Sequence, residues 1–266
     1  MKKMAILLGA LATLASCSPK KTAETEAPVS KALVLYYSQT NTTKQVAEAF
    51  QQNLGADIKT FDAVNKYDGD FNATIARCQQ EMADGVVPEV NITTEDVAAY
   101  DTIYLGYPVW FGTYAMPVAG LLKTVDLSGK VIVPFCTFGS GGLNTSTDNL
   151  KAALPNANIL PGYGVRQARV AAVPTEVEEF LIRSGIIDGE VEVLPEFSEQ
   201  QAVTDAEKTV FDAACSSYSM PLGTAVTCGK RETMKGTEYL FVCDNNAQIF
   251  VIATEGATPE FTQVVR

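Results

Sequence analysis

Between Ala32 and Leu194 the chain alternates short, continuously apolar runs with segments of helical spacing, and this alternation limits the folds open to it. The run Ala32–Tyr37 (ALVLYY) is apolar throughout, as expected of a strand buried on both faces. A polar turn follows, and Val46, Ala47, Phe50 and Leu54 then recur at helical intervals up to Gly55. Further strands are predicted at 56–61, 102–106, 130–136 and 158–160. Helices are predicted at 71–82, 118–125, 147–154 and 176–183. A helix between nearly every pair of strands indicates βαβ units, and so a mostly parallel sheet with helices on both faces.

Such a sheet binds ligands beyond the carboxyl ends of its strands, which directs attention to three loops. The first, Ser38–Thr43, sets the hydroxyls of Ser38, Thr40, Thr42 and Thr43 beside Gln39 and Asn41. Hydroxyls and free amides at a helix start make an anion site without a cation, although the same residues also serve as ordinary N-caps. The second, Tyr107–Ala115, carries Tyr107, Trp110, Phe111 and Tyr114 around Pro108, Val109 and Gly112. Aromatic side chains at a strand end form a stacking platform for a planar ring, a hydrophobic lid or a partner-docking surface. The third, Thr137–Leu143, holds Phe138, Gly139, Ser140, Gly141 and Gly142, and lets backbone approach a ligand closely.

Composition removes several chemistries. The chain has no histidine, which excludes Ser-His-Asp triads, HExxH zinc sites and imidazole-ligated haem. A net charge of -11 opposes binding to nucleic acid. No CxxC pair and no Walker lysine is present. Neither a catalytic side chain nor a metal site is singled out, so any redox chemistry would come from a borrowed cofactor.

Taken in order, the three loops resemble those of the flavodoxin family across about Ala32–Leu194. The hydroxyl-rich turn is similar to the family's phosphate loop, with Asn41 where glycine is usual. Asn is the side chain that best tolerates positive φ. Tyr107–Gly112 with Met116-Pro117 behind it, and Pro134–Thr137 followed by Gly139-Ser140-Gly141, resemble the flavin-contacting loops of one branch. A histidine is typical there at the position of Phe138, which puts a proton-donating or substrate-orienting role at that position in question. The resemblance implies an α/β flavodoxin-like, doubly wound, five-stranded parallel sheet of order 2-1-3-4-5, with FMN as cofactor. Trp110, with Phe111 or Tyr107, would stack on the ring; the amides of residues 137–142 would face its polar edge. A net negative surround would disfavour added negative charge on the ring and tune its potential downward.

The ends of the chain carry other signals. Lys2 and Lys3, an apolar run to Leu14 and the sequence Leu14-Ala15-Ser16-Cys17 resemble the lipobox of bacterial lipoproteins. Residues 1–16 are then a signal peptide, and 17–31 a tether lipidated at Cys17, placing the protein in the cell envelope outside the cytoplasm. The flavodoxin-like domain is expected over 32–195. Residues 196–266 read as a small α+β module, a helix on an antiparallel sheet with strands at 225–232, 238–243, 248–253 and 261–265. Residues 234–243 resemble the central hairpin of cystatin-like domains. With that hairpin turning near Lys235-Gly236, Cys228 and Cys243 fall opposite each other as a candidate disulfide, Cys215 being the rival partner.

The leading expectation is a membrane-tethered FMN protein, an electron carrier or flavin-dependent reductase. Its donor and acceptor would be a partner with a basic docking surface or a small quinone-like molecule. The alternative is a flavin-free scaffold whose cystatin-like module docks a partner.

Overall fold

The computed structural model describes residues 31–140 and 142–265. The expected signal peptide, the lipidation site Cys17, nearly all of the tether, and Gly141 lie outside the described residues. The chain begins β1 (Ala32–Tyr36), α1 (Thr42–Leu54), β2 (Asp57–Thr60), α2 (Phe71–Asp84) and the short α3 (Thr94–Val97). It continues through β3 (Thr102–Trp110), β4 (Thr113–Tyr114), α4 (Met116–Thr124), β5 (Val131–Phe138) and α5 (Leu143–Ala153). Then come β6 (Asn158–Ile159), β7 (Tyr163–Arg166), a 3-10 turn over Gln167–Ala172 and α6 (Val173–Arg183).

These strands form a sheet in the order β2-β1-β3-β5-β6, with β7 also on β5, all parallel. β6 and β7 share the outer edge of β5: Val131 and Ile132 pair with Asn158 and Ile159, and Phe135–Phe138 with Tyr163–Arg166. The fifth strand therefore extends beyond the expected 158–160 and is interrupted at Pro161-Gly162. Proline offers the ladder no N–H, and a Cβ on Gly162 would lie 2.3 Å from the Pro134 carbonyl. Counting the broken strand once gives the 2-1-3-4-5 order of a flavodoxin-like sheet.

Both faces of β1, β3 and β5 are covered, which is why these strands read as unbroken apolar runs, whereas the edge strand β2 (DIKT) is exposed throughout. Leu33, Leu35, Ile103, Leu105 and Ile132 face a core shared with Val118 and Leu121 of α4 and Leu150 of α5. Val34, Tyr104, Val133 and Phe135 face the other core, filled by Val46 and Phe50 of α1 and Val177 and Leu181 of α6. Phe50 stacks on Phe135 at 4.8 Å. Gly106 admits the Phe135 ring beside β3, since a Cβ there would sit 2.1 Å from it.

One boundary changes the reading of the site. β3 does not end at Gly106 but runs to Trp110 and turns at Phe111-Gly112 onto β4, pairing Val109 with Tyr114 and Trp110 with Thr113. Phe111 (φ 51°) and Gly112 (φ 79°) are both left-handed, as a tight two-residue hairpin of this twist requires.

After an extended stretch from residue 188, β8 (Gln201–Ala202), α7 (Asp205–Cys215), β9 (Ala225–Thr233), β10 (Gly236–Cys243), β11 (Gln248–Ala253) and β12 (Glu260–Val265) follow. The second sheet is antiparallel in the order β12-β11-β10-β9-β8. Phe211 and Ala214 of α7 pack on Phe241, Ile249, Val251 and Phe261.

The expected Cys228–Cys243 bridge is corrected here. The hairpin turns at Met234-Lys235, with Thr233 opposite Gly236, so Cys228 falls opposite Phe241 and a bulge sets Cys243 opposite Ala225. A turn placed one residue too late shifts every partner by two. Cys78, Cys136, Cys215, Cys228 and Cys243 are all free thiols. Burial pushes Cys78 up to about 11 and Cys136, Cys215 and Cys228 up to about 12.

Candidate functional site

The carboxyl ends of β1, β3 and β5 open on one cleft of about 1340 Å³. Its first wall starts where β1 stops. Asn41 takes a left-handed conformation (φ 61°) immediately before α1, the role expected of it in place of glycine. Its carbonyl accepts from the Gln45 N–H at 3.2 Å, and the Ser38 Oγ accepts from the Lys44 N–H at 3.2 Å. The amides of Thr42 and Thr43, in the first helical turn, have no carbonyl within the helix to bond. The Thr40 and Thr42 hydroxyls meet at 3.3 Å, and both residues line the cleft.

The aromatic hairpin forms the second wall. Trp110 makes T-shaped contacts with Tyr37 at 5.8 Å and with Tyr67 at 5.4 Å, so its ring is held in place by two neighbours. Tyr37 donates to the Gln39 Oε1, and the Gln39 amide donates to the Tyr67 carbonyl, tying the first loop to this wall. Burial raises the Tyr37 phenol further above its usual range, which keeps it a neutral donor. Phe111 stands 51% exposed at the tip, in a backbone conformation that costs a non-glycine residue about 1 kcal/mol or more.

The glycine loop closes the third side. The Thr137 hydroxyl meets that of Thr43 at 2.8 Å, joining β5 to the start of α1. At Gly139 and Gly142 nothing lies within 4 Å of where a Cβ would be, so the loop backbone is open to a ligand. Beyond it Arg169 lines the cleft, but its charge is met by Glu176 at 2.7 Å and Glu260 at 3.1 Å.

Of the residues expected at the site, Gln39, Thr40, Thr42, Pro108, Val109, Trp110, Phe111, Gly112, Thr137, Phe138, Gly139, Ser140 and Gly142 line this one cleft. Tyr107 does not. It lies in strand rather than loop, wholly buried in the core with its hydroxyl toward Ser146, so the expectation that it stacks on a ring is corrected. The Ser38 hydroxyl is used in capping, the Thr43 hydroxyl is buried against Thr137, and Asn41 shapes the turn from its exposed side. Absent from the sequence reading were Phe71 and Thr74 of α2, Gln167 and Arg169 after β7, and Met220 with Thr262–Val265 of the C-terminal region. Pro161-Gly162 reads locally as the end of the fifth strand, and only the pairing of Tyr163–Arg166 with β5 shows that it resumes at this rim.

The geometry matches a known pattern. A family model described as flavodoxin matches residues 31–179, more than half of the chain. The chain belongs to the flavodoxin family. Among curated proteins it is similar to an NAD(P)H dehydrogenase (quinone) of Cupriavidus metallidurans, 32% identical over 126 residues. That match covers 45% of this chain and 57% of the relative, so this flavodoxin-family chain spans little more than half the length of the relative. Among solved structures, one of Bacteroides uniformis named as a flavoprotein is 26% identical, covering 56% of this chain and 98% of the other, with a TM-score of 0.50. Another, a flavoprotein of Lactobacillus acidophilus NCFM in complex with FMN, is 22% identical, covering 56% of this chain and 97% of the other, with a TM-score of 0.47.

Proposed function

We propose that this protein binds FMN in the cleft and acts as a flavin-dependent reductase of a small planar acceptor such as a quinone, held outside the cytoplasm by acyl chains on Cys17. One observation carries the reading: a hydroxyl-lined helix start, an aromatic hairpin and an open glycine loop border the same cleft. Net charge -11 and the absence of a free cation in the first loop do not argue against a phosphate there. Helix-start amides and hydroxyls bind a phosphate through dipoles alone.

Bound FMN would supply the electron transfer. The chain would supply position. The Thr40 and Thr42 hydroxyls and the helix-start amides hold the phosphate. Trp110, braced by Tyr37 and Tyr67, gives the ring a flat apolar wall, and Phe111 covers its outer edge. The amides of the glycine loop meet the ring's polar edge. Phe138 is 7% exposed and offers no proton, so the chain binds and orients rather than titrates at this point.

A reductase is favoured over a pure carrier by room. The cleft exceeds the ~300–1,000 Å³ of an ordinary small-molecule pocket, which leaves space for a second reactant. The relative's name, a quinone-reducing NAD(P)H dehydrogenase, points the same way.

The test is a titration of apoprotein, lacking residues 1–16, with FMN. Saturable quenching of flavin fluorescence, followed by FMN-dependent oxidation of NAD(P)H with benzoquinone, is the expected result. Fluorescence that stays at the level of free FMN at high protein concentration overturns the reading and favours the flavin-free scaffold. For the tether, Cys17→Ser should move the protein from the membrane fraction to the soluble one, and retention on the membrane would refute lipidation.

A further inference from the structure

The least expected charge near the cleft is Arg166, the last residue of β7, which is 6% exposed. Among the described residues it has no ion-pair partner within 4 Å; its guanidinium is instead surrounded by carbonyls and rings. It donates to the Gly139 carbonyl and to the Phe261 carbonyl, each at 3.4 Å, and lies 4.4 Å from the Phe261 ring centroid and 5.2 Å from that of Tyr218. Tyr218 and Phe261 stack on each other at 4.7 Å, and the Tyr218 hydroxyl donates to the Ser140 carbonyl at 2.5 Å. Two successive carbonyls of the glycine loop are thus held by groups that the C-terminal module supplies or clamps. The neighbouring Arg169 is neutralised by two carboxylates, one of them Glu260 of β12, whereas Arg166 is not.

Burying a cation without a carboxylate is costly, and such a charge is retained where an anion or a growing negative charge balances it. The charge sits directly behind the loop that would face the ring's polar edge. We propose that the C-terminal module completes the flavin site through Arg166: packed against the stacked Tyr218–Phe261 pair, it fixes the glycine loop and favours negative charge on the bound ring. This rests on the FMN reading above. It makes Arg166 and Tyr218 positioning residues, and it gives the module a part in the chemistry of the cleft. It also opposes the downward pull on the potential that the acidic surround exerts.

The experiment uses the full-length folded chain, solubilised, with FMN as probe. Three variants, Arg166→Gln, Arg166→Lys and Tyr218→Phe, are compared with the wild type for FMN Kd, midpoint potential of the bound flavin and thermal midpoint. Arg166→Gln should lower the potential, and Arg166→Lys, which keeps the charge, should largely restore it. Tyr218→Phe keeps the stacked ring and loses one hydrogen bond, so Kd should rise by about threefold to tenfold with the potential unchanged. Should Arg166→Gln fail to fold, Arg166→Met takes its place for the potential, which should again fall, and the Kd of Tyr218→Phe decides whether the loop is held. Wild-type protein that ignores FMN would overturn the function proposed above. Wild-type binding with Kd and potential unaltered in every folded variant would overturn this inference alone.

Discussion

The loop that would hold phosphate and the loop that would face the ring are joined by one buried hydrogen bond, and its removal has a calculable consequence. The Thr43 and Thr137 hydroxyls lie 2.8 Å apart, in residues 1% and 4% exposed. Thr43→Val keeps the shape of the side chain but deletes one partner, so the Thr137 hydroxyl is left buried without its bond. The bond itself contributes about 0.5–1.5 kcal/mol net, and a stranded buried hydroxyl costs about 1–3 kcal/mol. The single variant should therefore lose about 1–3 kcal/mol. Thr43→Val with Thr137→Val removes both polar groups and should recover most of that loss, giving a coupling of about 1–2 kcal/mol in a double-mutant cycle. Urea unfolding measures it, with the m-value checked for constancy across the four proteins. Strictly additive single effects would show that the two hydroxyls are satisfied separately and that this bond does not tie the loops together.

Trp110→Ala should weaken FMN binding by about 1–3 kcal/mol, the worth of one aromatic stack, as read by fluorescence titration; an unchanged Kd would place the ring elsewhere. Asn41→Gly should leave stability within about 0.5 kcal/mol, whereas Asn41→Val, forced to φ 61°, should cost about 1–2 kcal/mol in urea unfolding. Stability should fall at alkaline pH. The Cys78 thiol moves from its ordinary 9.0 up to about 11, so the native state holds a proton that the unfolded chain has released between those values. Its contribution is complete below about pH 9 and disappears as pH rises through about 11, with Cys136, Cys215 and Cys228 acting in the same direction. Urea midpoints that stay level from pH 8 to pH 11 would refute that burial.

Much of the first sheet was legible because its information is local. Double-sided burial writes itself as runs such as ALVLYY, and α1 announces itself through Val46, Ala47 and Phe50 on one face. The left-handed turn before α1 was also legible, since Asn is the residue that fills such a position when glycine does not. Tyr107 misled for the opposite reason. Its neighbours Trp110 and Phe111 sit in the cleft wall, and sequence alone does not reveal that the strand runs on for four residues past Gly106 before it turns. Alternation along that strand then sends Tyr107 into the core. The disulfide failed on a single residue of turn placement, an error that hydrophobic patterning cannot detect when residues on both faces of β10 are half-buried.

The C-terminal module shows where local reading ends altogether. Its helix and four main strands follow from spacing, yet nothing near Tyr218 or Phe261 in the chain indicates that they close on Arg166, 52 and 95 residues away. A guanidinium on two aromatic faces has no periodicity, and its partners are fixed only once two sheets pack. The same packing brings Thr262–Val265 to the cleft that the first three loops begin. A site assembled from strand ends of one sheet and the last strand of another couples ligand affinity to the stability of the second sheet. Ligand that binds only the assembled state stabilises it by RT ln(1 + [L]/Kd), about 2.7 kcal/mol at a hundredfold excess over Kd. FMN should therefore protect the amides of β12 from hydrogen exchange along with those of the phosphate loop. Protection confined to the first sheet would mean that the two sheets touch without sharing a site.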